Sequence, residues 1–258
     1  MAVSPDVLIS PRLKVERAYR HIDELRSVTQ PLSRDFYEIA TNDHTFFPDF
    51  NKWGFSADYR PVKPIPELLA LIIGDAVHNL RSALDHLATG ICRSVRPGAK
   101  EHFPIHPKRQ NLETAPALAS IEEAIPGAKK TFLEKIRPQD GPDEALWRFN
   151  DLNNDDKHNL LIPTVTVAEV TGIDARNAGF EMANYVRVGD GARPLNILVV
   201  LNPVAPVTIN YNATVAVNVS FGSGLAFENE PVVPTLTQIA GIVSHTIDEF
   251  ETLINNST

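Results

Sequence analysis

With Cys92 as its only cysteine in 258 residues, the chain has no internal disulfide and no all-cysteine metal site. The thiol reads as a buried structural group. Positive charge is also short: 24 Lys and Arg stand against 32 Asp and Glu, for a net charge of -8. That balance excludes a protein that coats nucleic acid or anionic membrane by bulk charge, and leaves room for a local basic pocket. Long apolar runs are missing. The longest compact one, Leu68 to Ile73, is far too short to span a bilayer, and the N-terminus lacks a basic start followed by a signal-length apolar stretch. A cytoplasmic protein with no membrane partner is the expectation. No HExxH pattern, Ser-His-Asp order or nucleophile elbow occurs, and Gly222 to Gly224 reads as a turn between strands, because no P-loop Lys-Ser/Thr follows it.

What is present is a core: 43% of the residues are hydrophobic, enough for one domain over 1–258. Ser10 as cap and Pro11 as first helical residue open a helix to about Val28, with Leu13, Ala18, Ile22 and Leu25 as its stripe and Pro31 as its end. Residues 31 to 65 are aromatic and broken by Pro48, Pro61 and Pro64, which predicts a packed, irregular excursion with a short strand near Gly54 to Tyr59. A long helix follows from about Pro66 to Val95, closed by Pro97 and Gly98. Short helices are expected near Leu112 to Ala124 and Ala128 to Ile136, and another from Pro142 to about Leu160. The period then changes to two: Thr164 to Val170, Tyr185 to Val188, Asn196 to Leu201 and Val207 to Phe221 read as antiparallel strands. A last helix, about Thr235 to Ile254, commits one face to packing. The expected fold is α+β, a helical bundle with an antiparallel β-sheet inserted before the C-terminal helix.

Two polar stripes carry the chemistry. On the helix of residues 74 to 88, Asp75, His78, Asn79, Ser82 and His86 share one face, opposite Val77, Leu80, Leu84 and Leu87. A solvated face usually carries Lys and Glu; this one carries short groups that hydrogen-bond, titrate or ligate metal. Near residue 150, Asp151, Asn154, Asp155 and His158 are spaced i, i+3, i+4 and i+7, with Lys157 beside them. Two such stripes are more cheaply buried against each other than against apolar surfaces, so their helices are expected to be neighbours. The plainer reading of the second stripe is a helix end fraying into a solvated turn.

The segment Leu80-Arg-Ser-Ala-Leu-Asp-His86, with Phe103-Pro-Ile105 and Leu152-Asn-Asn-Asp-Asp-Lys-His158 downstream, resembles a group of uncharacterised bacterial proteins that pair an LRSALDH helix with a later DKH segment. More distantly, Arg81 followed by His86 is similar to the Arg-then-His hallmark of the HEPN superfamily, helical-bundle proteins that include metal-independent ribonucleases. That resemblance implies a nucleic-acid-processing protein, an endoribonuclease that needs no cofactor and acts on RNA at a local site built across a homodimer. His86 would serve as general base or acid, Arg81 would meet the phosphate, and His78, Lys157 and His158 would complete the catalytic set. Arg81 has a plain alternative as a structural ion pair with Asp85 or Asp75. A second reading is a metal-dependent hydrolase in which Asp75, His78, His86, Asp151, Asp155 and His158 bind zinc or manganese and activate water. A third is a non-catalytic binding or regulatory protein whose polar stripes form a buried network. His102, His106 and His245 read as bland loop or surface residues, and whether the chain is an enzyme stays open at this point.

Overall fold

The computed structural model describes residues 3–35, 37–48, 51–63, 66–138, 144–158, 163–174, 184–185, 195–202 and 210–256. Among them are seven α-helices and six strands, the strands falling in two blocks, one between α1 and α2 and one between α6 and α7. α1 spans Ile9–Asp35, α2 Leu68–Val95, α3 Arg109–Glu113, α4 Pro116–Ala124, α5 Ala128–Thr131, α6 Ala145–His158 and α7 Val232–Asn256. The strands are β1 Tyr37–Phe47, β2 Lys52–Pro61, β3 Pro163–Asp174, β4 Asn184–Tyr185, β5 Leu195–Asn202 and β6 Asn210–Phe221.

The core is a helical bundle around α2. Fifteen of its residues are buried, among them Leu80, Leu84 and Leu87, so that only a narrow stripe stays open. α1 and α7 pack on it and on each other, while α4 and α6 cover other faces. Phe103, Phe132 and Phe250 meet where the loop after α2, the turn after α5 and α7 converge, one pair tilted and the other edge-to-face, with ring centroids 4.9 and 5.5 Å apart. Aromatic pairs of this kind add to the burial itself.

Several boundaries differ from the sequence expectation. The first helical turn begins earlier: Ser4 caps a 3-10 turn at Pro5–Leu8 by accepting from the Asp6 N–H at 3.3 Å, which frees Ser10 from capping. α1 runs on through Pro31 to Asp35. The helix expected over Leu112 to Ala124 is split into α3 and α4, because Pro116 opens a new helix at its first position. α5 passes into a wider π-type turn over Phe132–Ile136, closed by Arg137 at φ 46°.

The strands are also distributed differently. In place of an irregular excursion, β1 and β2 pair antiparallel, so that the short strand expected near Gly54 to Tyr59 is part of a longer one. β5, from the segment before α7, then pairs with β2, giving the order β1-β2-β5. The second group has the order β4-β3-β6, also antiparallel. The expectations for residues 175–183, 186–194 and 203–209 lie outside the described residues, as do those for residues 139–143 and 159–162. No helix among the described residues is long and apolar enough to cross a membrane.

Candidate active site

The open stripe of α2 carries Asp75, His78, Asn79, Ser82 and His86, all exposed or half-buried between buried neighbours. α1 lies against one side of it, antiparallel, because Ser10 meets His86 while Lys14 reaches back to Asn79. The Ser10 Oγ to His86 Nδ1 distance is 2.7 Å, a short hydrogen bond between side chains on different helices. Lys14 Nζ donates to the Asn79 side-chain oxygen at 3.4 Å. Burial and the nearby Lys14 and Arg93 cations hold the His86 pKa below its ordinary value, against an opposite pull from Asp85. That shift favours the neutral imidazole, the form able to accept a proton.

His86 opens into a cleft of about 580 Å³ at the N-terminal end of α1, whose polar lining includes Ser10, Asp85, Lys100 and His102. The loop carrying Lys100 and His102 is fixed to α2 through its backbone. Arg81, 8% exposed, grips Asp85 through Nη2 at 2.8 Å and Nε at 3.3 Å, and Nη2 also donates to the Phe103 carbonyl at 3.0 Å. Asp85 in turn accepts from the Phe103 N–H at 2.9 Å. Thr89 Oγ1 donates to the Glu101 carbonyl at 2.7 Å, and Arg93 Nε donates to the Ala99 carbonyl at 2.9 Å. This latch puts His102 Nδ1 3.3 Å from Asp85 Oδ2, beside the cleft.

Arg81 is thus the structural ion pair that the sequence leaves open, not an arginine held free for a phosphate. Its Nε and Nη2 are spent on Asp85 and Phe103, and Nη1 is buried without a partner. His86 and Arg81 share a helix but face different surroundings. The residues that sequence reasoning misses are Ser10, Lys14, Lys100 and His102. Ser10 reads as a cap in the sequence, and His102 and Lys100 sit in a loop whose position depends on the Arg81–Asp85 latch.

The second stripe meets the first only at one end. α6 crosses α2 where Gly74 has no side chain, so that Asp156 occupies the space a Cβ would need, near Asp75 and His78. Burial raises the Asp156 pKa, and the Asp75 charge adds to this while His78 opposes it. The expected adjacency of the two helices holds, through Asp156. Among the described residues, none of α6 lines the His86 cleft. Lys157 and His158 are exposed at the C-terminal end of α6, Asp151 and Asp155 are half-buried on it, and Asn153 is buried with its amide unpartnered. The six residues expected to share a metal are not brought together: among the described residues no three His, Cys, Asp or Glu side chains form a group able to hold one. Cys92 is buried, and burial pushes its thiol up to about 11, which makes it inert.

A larger groove, about 700 Å³, runs between α6, α7 and the turn at Phe132–Ile136. Lys135 and Arg148 there are bound to Glu249 and Glu230, each at 2.6 Å, and Arg148 also covers the Phe227 ring at 4.2 Å. His245 also lines this groove, 3.7 Å from Glu249, whereas the His86 cleft brings two histidines, His86 and His102, together with Lys100. No protein-family model, curated protein or solved structure matches the chain.

Proposed function

We propose that the protein cleaves RNA without a metal, using the His86 cleft as an acid–base site. The observation that carries this reading is the pairing of two histidines, His86 and His102, with Lys100 around one cleft. Neutral His86 takes the proton of a ribose 2'-hydroxyl as its oxygen attacks phosphorus. His102, oriented by Asp85, gives a proton to the departing 5'-oxygen as the phosphorus–oxygen bond breaks. Lys100 and Lys14 offset charge on the phosphate, the role that the HEPN resemblance would assign to Arg81. The cleft is formed within one chain, so a composite homodimer site is not required by this chemistry.

The test is cleavage of single-stranded RNA in EDTA by the parent protein and by His86→Ala and His102→Ala. Fragments ending in 2',3'-cyclic phosphate are expected, with a loss of at least about 100-fold in each variant, the usual scale of general acid or base catalysis. Absence of cleavage across pH 5 to 9, or cleavage that survives in both variants, overturns the proposal.

A further inference from the structure

We infer that the seam between α1 and α2 is a track for the phosphodiester backbone of single-stranded RNA, running from the His86 cleft toward His78 and carried by Lys14 and Arg17. This rests on the reading of the cleft as an RNA-cleaving site and names its substrate as an extended strand, longer than a dinucleotide. Among the described side chains of α1, the Lys and Arg residues divide into two kinds. Arg12 is bound to Asp248 and Glu251 of α7, Arg20 to Glu16 and Arg26 to Asp23. Lys14 and Arg17 have no carboxylate partner among the described residues. They are also the two that follow Ser10 at steps of four and three, so all three lie on the flank of α1 that faces the open stripe of α2.

The antiparallel register set by Ser10 with His86 and Lys14 with Asn79 puts Arg17 one turn further along, beyond His78 toward Asp75 at the end of the stripe. From His86 to His78 the helix rises about 12 Å, more than one phosphate of an extended strand. Opposite the cations stand hydrogen-bonding groups without charge, Ser82 and Asn79. The carboxylates lie at the ends. At the cleft, Asp85 is bound by Arg81 and Glu101 by Arg96, leaving Asp6 at the rim. At the far end Asp75 and Asp156 close the track, since a phosphate passing Gly74 would meet both. An acidic protein therefore keeps a short, unneutralised basic line beside its candidate catalytic histidine.

The experiment is fluorescence anisotropy with an uncleavable 2'-deoxy 12-mer, its duplex and a mononucleotide, read against salt, together with cleavage rates of a dinucleotide and of the corresponding ribo 12-mer. The single strand is expected to bind more tightly than the duplex and the mononucleotide. Lys14→Gln with Arg17→Gln should reduce the salt slope by about 1.4, the value for two fewer neutralised phosphates on a single strand. Lys129→Gln with Lys130→Gln, an equal charge change at the two exposed residues of α5, should leave the slope unchanged. Equal losses in both double variants, duplex binding as tight as single-strand binding, or a dinucleotide cut as fast as the 12-mer would each overturn the track. Seam-dependent binding without cleavage would uphold the track and refute only the ribonuclease reading.

Discussion

At His86 the depressed pKa has a kinetic consequence. A base that stays neutral below the ordinary histidine range places the acid limb of a rate profile at lower pH than an exposed imidazole would. After burial, Lys14 is the largest cause, so Lys14→Gln should move that limb upward while burial keeps it short of the unperturbed value; a limb that stays put would separate Lys14 from the catalytic histidine. Asp156 works in the opposite sense. Its folded-state pKa is raised, so its contribution is present when it is protonated and is lost as pH rises through that pKa. Asp156→Asn should therefore be more stable than the parent in urea at pH 7.5, with the gain shrinking as pH falls toward the carboxylate range. A variant less stable at pH 7.5, or one with a gain independent of pH, would overturn burial of the Asp156 charge as the cause.

Among the elements, α2 is the most legible. Its apolar spacing marks the buried face, its polar residues mark the open stripe, and Pro97 and Gly98 mark its end. What the helix does with Arg81 and Asp85 is not legible, because an i, i+4 pair of this kind reads the same on a solvated surface as beneath a loop. The distinction comes from Phe103, whose N–H and C=O both close onto the pair. Arg81→Ala should cost about 3–5 kcal/mol, the scale for removing one partner of a buried ion pair, whereas an exposed pair would cost under about 1 kcal/mol. Denaturant titration decides between them. The hairpin of β1 and β2 carries a signal that its prolines and aromatics obscure: Trp53, Phe55, Ala57 and Tyr59 alternate with period two, and Pro61 ends the strand where pairing ends. Ser10 is misread for a similar reason, since Ser-Pro occurs at both residues 4–5 and 10–11 and only the first is a cap.

Across the whole molecule, what the sequence cannot reveal is which distant segments share a site. His86 and the α6 stripe are each chemically distinctive, yet their helices meet through Asp156 and Gly74, near His78, and not at His86. Ser10, Lys100 and His102 are individually ordinary and converge on His86 only because α1 and the loop after α2 are folded against it. The same arrangement sets an order of events. α1 and α2 are joined through a hairpin, but α7, which completes the bundle and binds Arg12 of α1, comes after the two strand-rich stretches. Loop closure over that length must precede the packing that rewards it, which slows folding. On a ribosome, the faces of α1 and α2 that α7 covers would stay bare until residues 232–256 had emerged, which leaves an unfinished core that a chaperone can recognise while the segments between are made.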